Sequence, residues 1–193
     1  MALAATGVYY TPTHVTREME ARADEPAYRA DPARKYVPGK RNAAWEIDLD
    51  ETSGLPHEQR VALDGFFQHG LRITGLAHRA GVPIMVGTDA NDTMIVPGYS
   101  LHRELRLLAA AGLSNMDVLR AATTVPAAYL GRAEDLGGIG VGMTADMVLL
   151  RQDPLVEIGN TASVETVIAG GRVYTRAQLD ALLEAVELEV ARR

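Results

Sequence analysis

The stretch Ala80–Asp92, AGVPIMVGTDAND, constrains the fold of this chain more than any other. Its apolar run Pro83–Gly87 has the length and residue types of a buried strand, and it stops on Gly87, Thr88 and Asp89. Before it, Pro56 opens a helical pattern whose apolar positions are Val61, Leu63, Phe66, Phe67, Leu71, Leu76 and Ala80. Gly81 suits the left-handed residue that ends such a helix. Helix, tight turn and buried strand in this order are the grammar of an α/β protein with parallel strands. Ligand and catalytic groups of such folds gather at the carboxyl ends of strands, which is where Asp89 stands. The same aspartate could instead cap the next segment or close an Asx turn, and the local pattern does not choose between these.

Gly7–Thr13, GVYYTPT, predicts a second short strand, with Tyr9 and Tyr10 on opposite faces. From Arg17 to Leu55 the chain turns polar, prolines interrupt it and no period persists. That predicts a long loop with one helical turn in it, and loops of this length are usually functional or disordered. After Asp89, Ser100 is placed to cap a helix with Leu101, Leu105, Leu108 and Ala109 on one face, closed by Gly112. Ser114 and Asp117 form a capping-box variant for the next helix, which Thr124-Val125-Pro126 breaks or restarts. The texture then becomes glycine-rich and strand-like. A strand is predicted over Asp146–Leu150, then a hairpin of Val164–Ala169 and Arg172–Tyr174 joined at Gly170-Gly171. Thr175 and Gln178 make a capping box for a final helix with Leu179, Leu182, Leu183, Val186 and Val190 on one face.

Composition removes several functions. The formal net charge of −6, with acids and bases interspersed, argues against nucleic acid as a partner. No run of about eighteen apolar residues exists to span a membrane. The opening residues carry no basic group before their short apolar stretch and make a poor signal peptide. Without cysteine there is no disulfide, no thiolate nucleophile and no cysteine-type zinc site, a composition compatible with the cytoplasm. The histidines form no His-x-His pair. His57-Glu58 begins like a zinc-protease helix, but Val61 stands where the second histidine belongs. His69 and His78 read as helix-surface or packing residues, and His14 has no evident role. His102 enters the helix after the strand-tip loop and could share a pocket with Asp89. The glycines of LGGIGVG precede a strand, not a helix, so no helix N-terminus waits there for a phosphate.

Five segments in order carry a resemblance: GVPIMVGTDA, HREL, AAGLSNMDVLRAATTVPAAYLG, LGGIGVGMTADMVLLRQDPL and VETVIAGGRVY. Together they resemble the C-terminal part of the metal-dependent amidohydrolase superfamily, in its imidazolonepropionase-like and Xaa-Pro dipeptidase-like branch. The resemblance implies an α/β fold, the last two strands and helices of a (β/α)8 barrel, followed by C-terminal strands of a small β-sandwich. Residues 1–130 would be the partial barrel with its loop at 17–55, residues 131–175 the small β domain, and residues 176–193 a terminal amphipathic helix. VGTDA resembles the eighth barrel strand and GVYYTPT the seventh. Asp89 would then bind a divalent metal, most often zinc, and carry a proton from metal-bound water to the leaving nitrogen. Thr88 and His102 are candidates for substrate contact.

The family's His-x-His, its bridging lysine or glutamate and its two further histidines have no match here, and an aliphatic residue is common where His14 stands. A barrel takes about 250 residues. The expectation is therefore a truncated hydrolase of carbon–nitrogen bonds, inactive alone and holding zinc weakly, acting in the parent family on a small or dipeptide-like substrate. The alternatives are half of a split enzyme completed by an N-terminal chain, or a non-catalytic module that associates into a homo-oligomer.

Overall fold

A computed structural model describes residues 3–90 and 92–192. Proline and glycine set its rhythm. The helices are α1 His14–Arg22, α2 Pro26–Arg29, α3 Gly39–Ser53, α4 His57–Arg79, α5 Tyr99–Ala110, α6 Asn115–Ala122, α7 Thr124–Tyr129 and α8 Arg176–Ala191. The strands β1 Met147–Leu150, β2 Val164–Ala169 and β3 Arg172–Thr175 form one antiparallel sheet in the order β1-β2-β3. The chain is thus a mixed helix-and-strand α/β structure.

The stretch from Arg17 to Leu55 is not a long loop, and that expectation is corrected. It folds as most of α1, α2, a 3-10 turn at Pro32–Tyr36, and α3. The prolines that seemed to punctuate a loop start helices instead. Pro26 and Pro32 occupy first-turn positions and Pro38 stands just before α3, where a missing N–H costs nothing. None of these helices buries more than two apolar side chains in this stretch, and α2 offers only the partly buried Tyr28, too few to show a period. Met19, Ala23, Ala33, Val37, Trp45 and Leu49 nevertheless form one cluster, closed by Met94 and Val96 from the segment after Asp89.

Helix α5 organises the remaining core. Its Leu105 and Leu108 pack with Ile84, Leu113, Val118 and Ala121, and its Leu107 packs with Val15, Phe67 and Ile95. A fully buried leucine contributes roughly 1.5–3 kcal/mol, so α5 is the element the fold can least lose. Ser100 does not cap it. Gly98 occupies the cap position, and the hydroxyl of Ser100, the second residue of the helix, accepts the Val96 N–H at 2.8 Å. The stripe expected along α4 also splits. Phe67 is buried, whereas Val61, Phe66 and Leu76 face outward.

Neither Gly7–Thr13 nor Pro83–Gly87 forms a strand, and that expectation is corrected: the two segments meet only in an isolated bridge, too short a pairing to make a ladder. Tyr10 and Ile84 form a parallel bridge in which Tyr10 N–H donates to Pro83 O and Met85 N–H donates to Tyr10 O, both at 2.9 Å. The C-terminal expectations hold closely. Ala169 pairs with Arg172 across Gly170 and Gly171, whose φ values of 55° and 79° suit a two-residue hairpin turn. Ser114 accepts the Asp117 N–H, α7 restarts at Thr124, and Thr175 with Gln178 makes the full capping box.

Candidate functional site

Asp89 ends the bridged segment. Val82 and Ile84 are buried, Thr88 is half-buried and Asp89 is exposed. The backbone at Asp89 is left-handed, with φ of 54°, a conformation that costs a non-glycine residue roughly 1–2 kcal/mol. Residues held this way concentrate at functional sites. The turn after it is closed by the main chain, because the Asp89 carbonyl accepts the Asp92 N–H at 3.0 Å. The carboxylate is therefore not needed for the turn, and Asp92 supplies its own carboxylate to the Thr93 N–H. Gly87 lets the tip lie against the other strand-like segment, since a Cβ there would stand 2.5 Å from the Thr11 Cγ2 atom.

His102 lies elsewhere. Its Nδ1 meets the Thr161 hydroxyl at 3.0 Å, and that hydroxyl donates to the Ile158 carbonyl. One hydroxyl has one proton, so His102 donates through Nδ1 and keeps Nε2 as an acceptor. Burial and the nearby Arg106 charge lower its pKa, which keeps the ring neutral. It lines a cleft of about 990 Å³ between α5–α7 and the sheet, whose walls include Leu105, Leu130, Val148, Val167 and Ile168 but not Asp89.

A polar cluster that the sequence did not announce lies at the start of α1. Glu104 is wholly buried, and its two oxygens accept the N–H groups of His14 at 3.0 Å and Val15 at 2.9 Å. Burial pushes its carboxyl up to about 7 against the pull of those two N–H groups. His14 is buried too, with Nε2 2.8 Å from the Thr74 hydroxyl, and burial lowers its pKa to about 4. That accounts for His14, which packs as a neutral core group. His69 is exposed and pairs with Arg72, and His78 lies 3.6 Å from Asp117. Among the described residues no three His, Asp, Glu or Cys side chains lie close enough to hold a metal ion. Zinc sites use about three protein ligands, so these residues do not fit the metal centre that the resemblance implies.

The chain matches the amidohydrolase family over residues 2–174 and belongs to that family. Among solved structures it is similar to a bottromycin amidohydrolase, with a TM-score of 0.78 and 25% identity over 94% of this chain and 40% of that one. It is similar to a prolidase complexed with N-methylphosphonate-L-proline, with a TM-score of 0.63 and 28% identity over 91% of this chain and 36% of that one. A Xaa-Pro dipeptidase with bound methionine in its active site shares the fold at a TM-score of 0.64 and 22% identity, over 90% of this chain and 36% of that one. The chain thus spans between a third and a half of the length of these proteins. No curated protein matches it. Among the described residues no helix is long and apolar enough to cross a membrane.

Proposed function

We propose that this chain is the aspartate-bearing portion of a cytoplasmic amidohydrolase that cleaves a carbon–nitrogen bond in a dipeptide-like substrate. One observation carries the reading: the family match runs through Gly87-Thr88-Asp89, where an exposed carboxylate ends a segment bonded in parallel to its neighbour. In this reading the segments around Tyr10 and Ile84 are the seventh and eighth staves of a barrel, within residues 1–130. Residues 131–175 belong to a small β domain, and residues 176–193 are a terminal helix. Asp89 takes a proton from the attacking water and passes it to the leaving nitrogen, general base and then general acid in one group. Thr88 beside it contacts the substrate, and His102 offers its free Nε2 to a substrate group reaching the cleft. The prolidase complex with a proline phosphonate favours a dipeptide as substrate.

The family's divalent metal, most often zinc, needs ligands that the described residues do not supply. The chain alone therefore holds zinc weakly and has no substantial activity, and further polypeptide completes the site. Purified alone, it should carry far less than one equivalent of zinc by elemental analysis. Co-expressed with an amidohydrolase N-terminal segment bearing His-x-His, it should retain zinc and hydrolyse dipeptides, and Asp89→Asn should abolish turnover. Stoichiometric, tightly held zinc in the chain alone, or full activity in Asp89→Asn, would sink this reading.

A second reading is favoured by the exposed apolar side chains of the sheet, among them Val148, Leu149 and Val173. In it the chain is a non-catalytic module that pairs these faces between copies. Light scattering decides: a monomer with a cooperative melt removes this reading.

A further inference from the structure

We propose that Glu104 is a positioning residue for the tip that carries Asp89, acting through the start of α1. Its functional weight rests on the reading of Asp89 as the proton carrier, whereas the structural coupling stands without it.

The path is short and continuous. Glu104 projects from α5, and its two oxygens hold the first two N–H groups of α1, those of His14 and Val15. These N–H groups have no partner within the helix, because helices leave their first turn unsatisfied. Capping at this end commonly falls to the residue before the helix, but Thr13 makes no side-chain cap and is itself left-handed, with φ of 49°. Thr13 is held from the far side as well, since its carbonyl accepts both the N–H and the hydroxyl of Thr16. A β-branched residue in this conformation is strained, and it persists only where its surroundings fix it. Glu104 is that fixture. Immediately before the turn, a Cβ at Gly87 would stand 2.5 Å from Thr11 Cγ2 and 3.6 Å from Thr13 Cγ2. Gly87 is two residues from Asp89. A change at Glu104 therefore moves the Thr11–Thr13 wall against which the tip rests.

The side chain is matched to its site through both of its oxygens. Each N–H group uses its own oxygen, Oε1 for His14 and Oε2 for Val15, and a glutamine would set an NH2 donor in place of one of these acceptors. The groups facing Glu104 are His14 and Val15 of α1, with Glu18 close enough to act on it by charge. None is a cation, so the backbone N–H groups are what hold it.

The test is amide NMR on the full 193-residue chain. In Glu104→Gln the His14 and Val15 amides should exchange at least about tenfold faster, as expected when a buried donor loses its acceptor. The signals of Thr11–His14 and Gly87–Asp89 should move with them, while those of Gly170–Thr175 stay. If the Gly87–Asp89 signals do not move, Glu104 is a helix cap and nothing more, and the proposal is overturned. Should Glu104→Gln fail to fold, Gly87→Ala drives the same wall from the other side and must shift the His14 and Val15 amides. Unshifted amides there overturn the proposal equally. An Asp89→Asn variant that still hydrolyses substrate when co-expressed with the N-terminal segment would end the catalytic reading and leave this coupling intact.

Discussion

The helix-rich region from His14 to Ala122 buries Val15, Leu49, Leu108 and Val118 completely, whereas no described residue of β1, β2, β3 or α8 is fully buried. The second region follows the local rules well. It has a Gly-Gly hairpin turn, a register of four pairs from Thr166↔Thr175 to Ala169↔Arg172, and a complete capping box. The first follows them poorly, with short proline-started helices and strained turns at Thr13, Asp89 and Met94. Local correctness and buried area are separate sources of order, and this chain has divided them between these two regions.

The largest effect that would test this contrast is a core truncation. Leu108→Ala should destabilise the chain by about 2–5 kcal/mol, while Leu149→Ala on the half-exposed sheet should stay within about 0.5 kcal/mol, both read from urea midpoints. Equal losses would mean that the sheet packs as tightly as the helices and would break the comparison.

Next in size is pH, through the buried polar pair. The Glu104 carboxyl is raised from 4.5 to about 7, so the folded state holds its proton longer and stability falls as pH rises from about 4.5 to about 7. His14 is lowered from 6.5 to about 4, so the folded state refuses a proton and stability falls as pH drops from about 6.5 to about 4. The two slopes oppose each other between about pH 4.5 and 6.5. The parent chain should show a nearly flat profile there. Glu104→Gln should unmask stability that rises with pH across that window, and His14→Gln should unmask the fall. A flat profile in both variants would remove either group from the pH response.

The smallest effects belong to the hairpin region. Thr175→Ala removes one half of the capping box and should cost about 1 kcal/mol of α8 stability, visible as fraying in far-UV circular dichroism. Gly171→Ala forces a side chain into φ of 79° and should cost about the same. Global unfolding in either variant would show that the hairpin region governs the helix-rich one.

Legibility in the sequence tracked locality. Gly81, Ser114, Gly170-Gly171 and Thr175 act on neighbours within a few residues, and their roles could be read from spacing. The helices between Arg17 and Leu55 could not, because none buries more than two apolar side chains in this stretch and their cluster closes on Met94 and Val96, far along the chain. Asp89 was recognisable at the end of its apolar run. Glu104 was not, because the N–H groups it holds lie ninety residues away, and a glutamate within HREL looks like any solvated helix charge.

The order of segments, the family they belong to and the carboxylate at the end of the apolar run were determined by the sequence itself, since each rests on residue type and short-range spacing. What the tertiary structure alone decided is that Asp89 sits exposed and left-handed two residues after a glycine packed on Thr11, that His102 turns to a different cleft, and that a buried glutamate fastens the start of α1. Those outcomes depend on which distant groups are excluded from water together, and no local pattern records that.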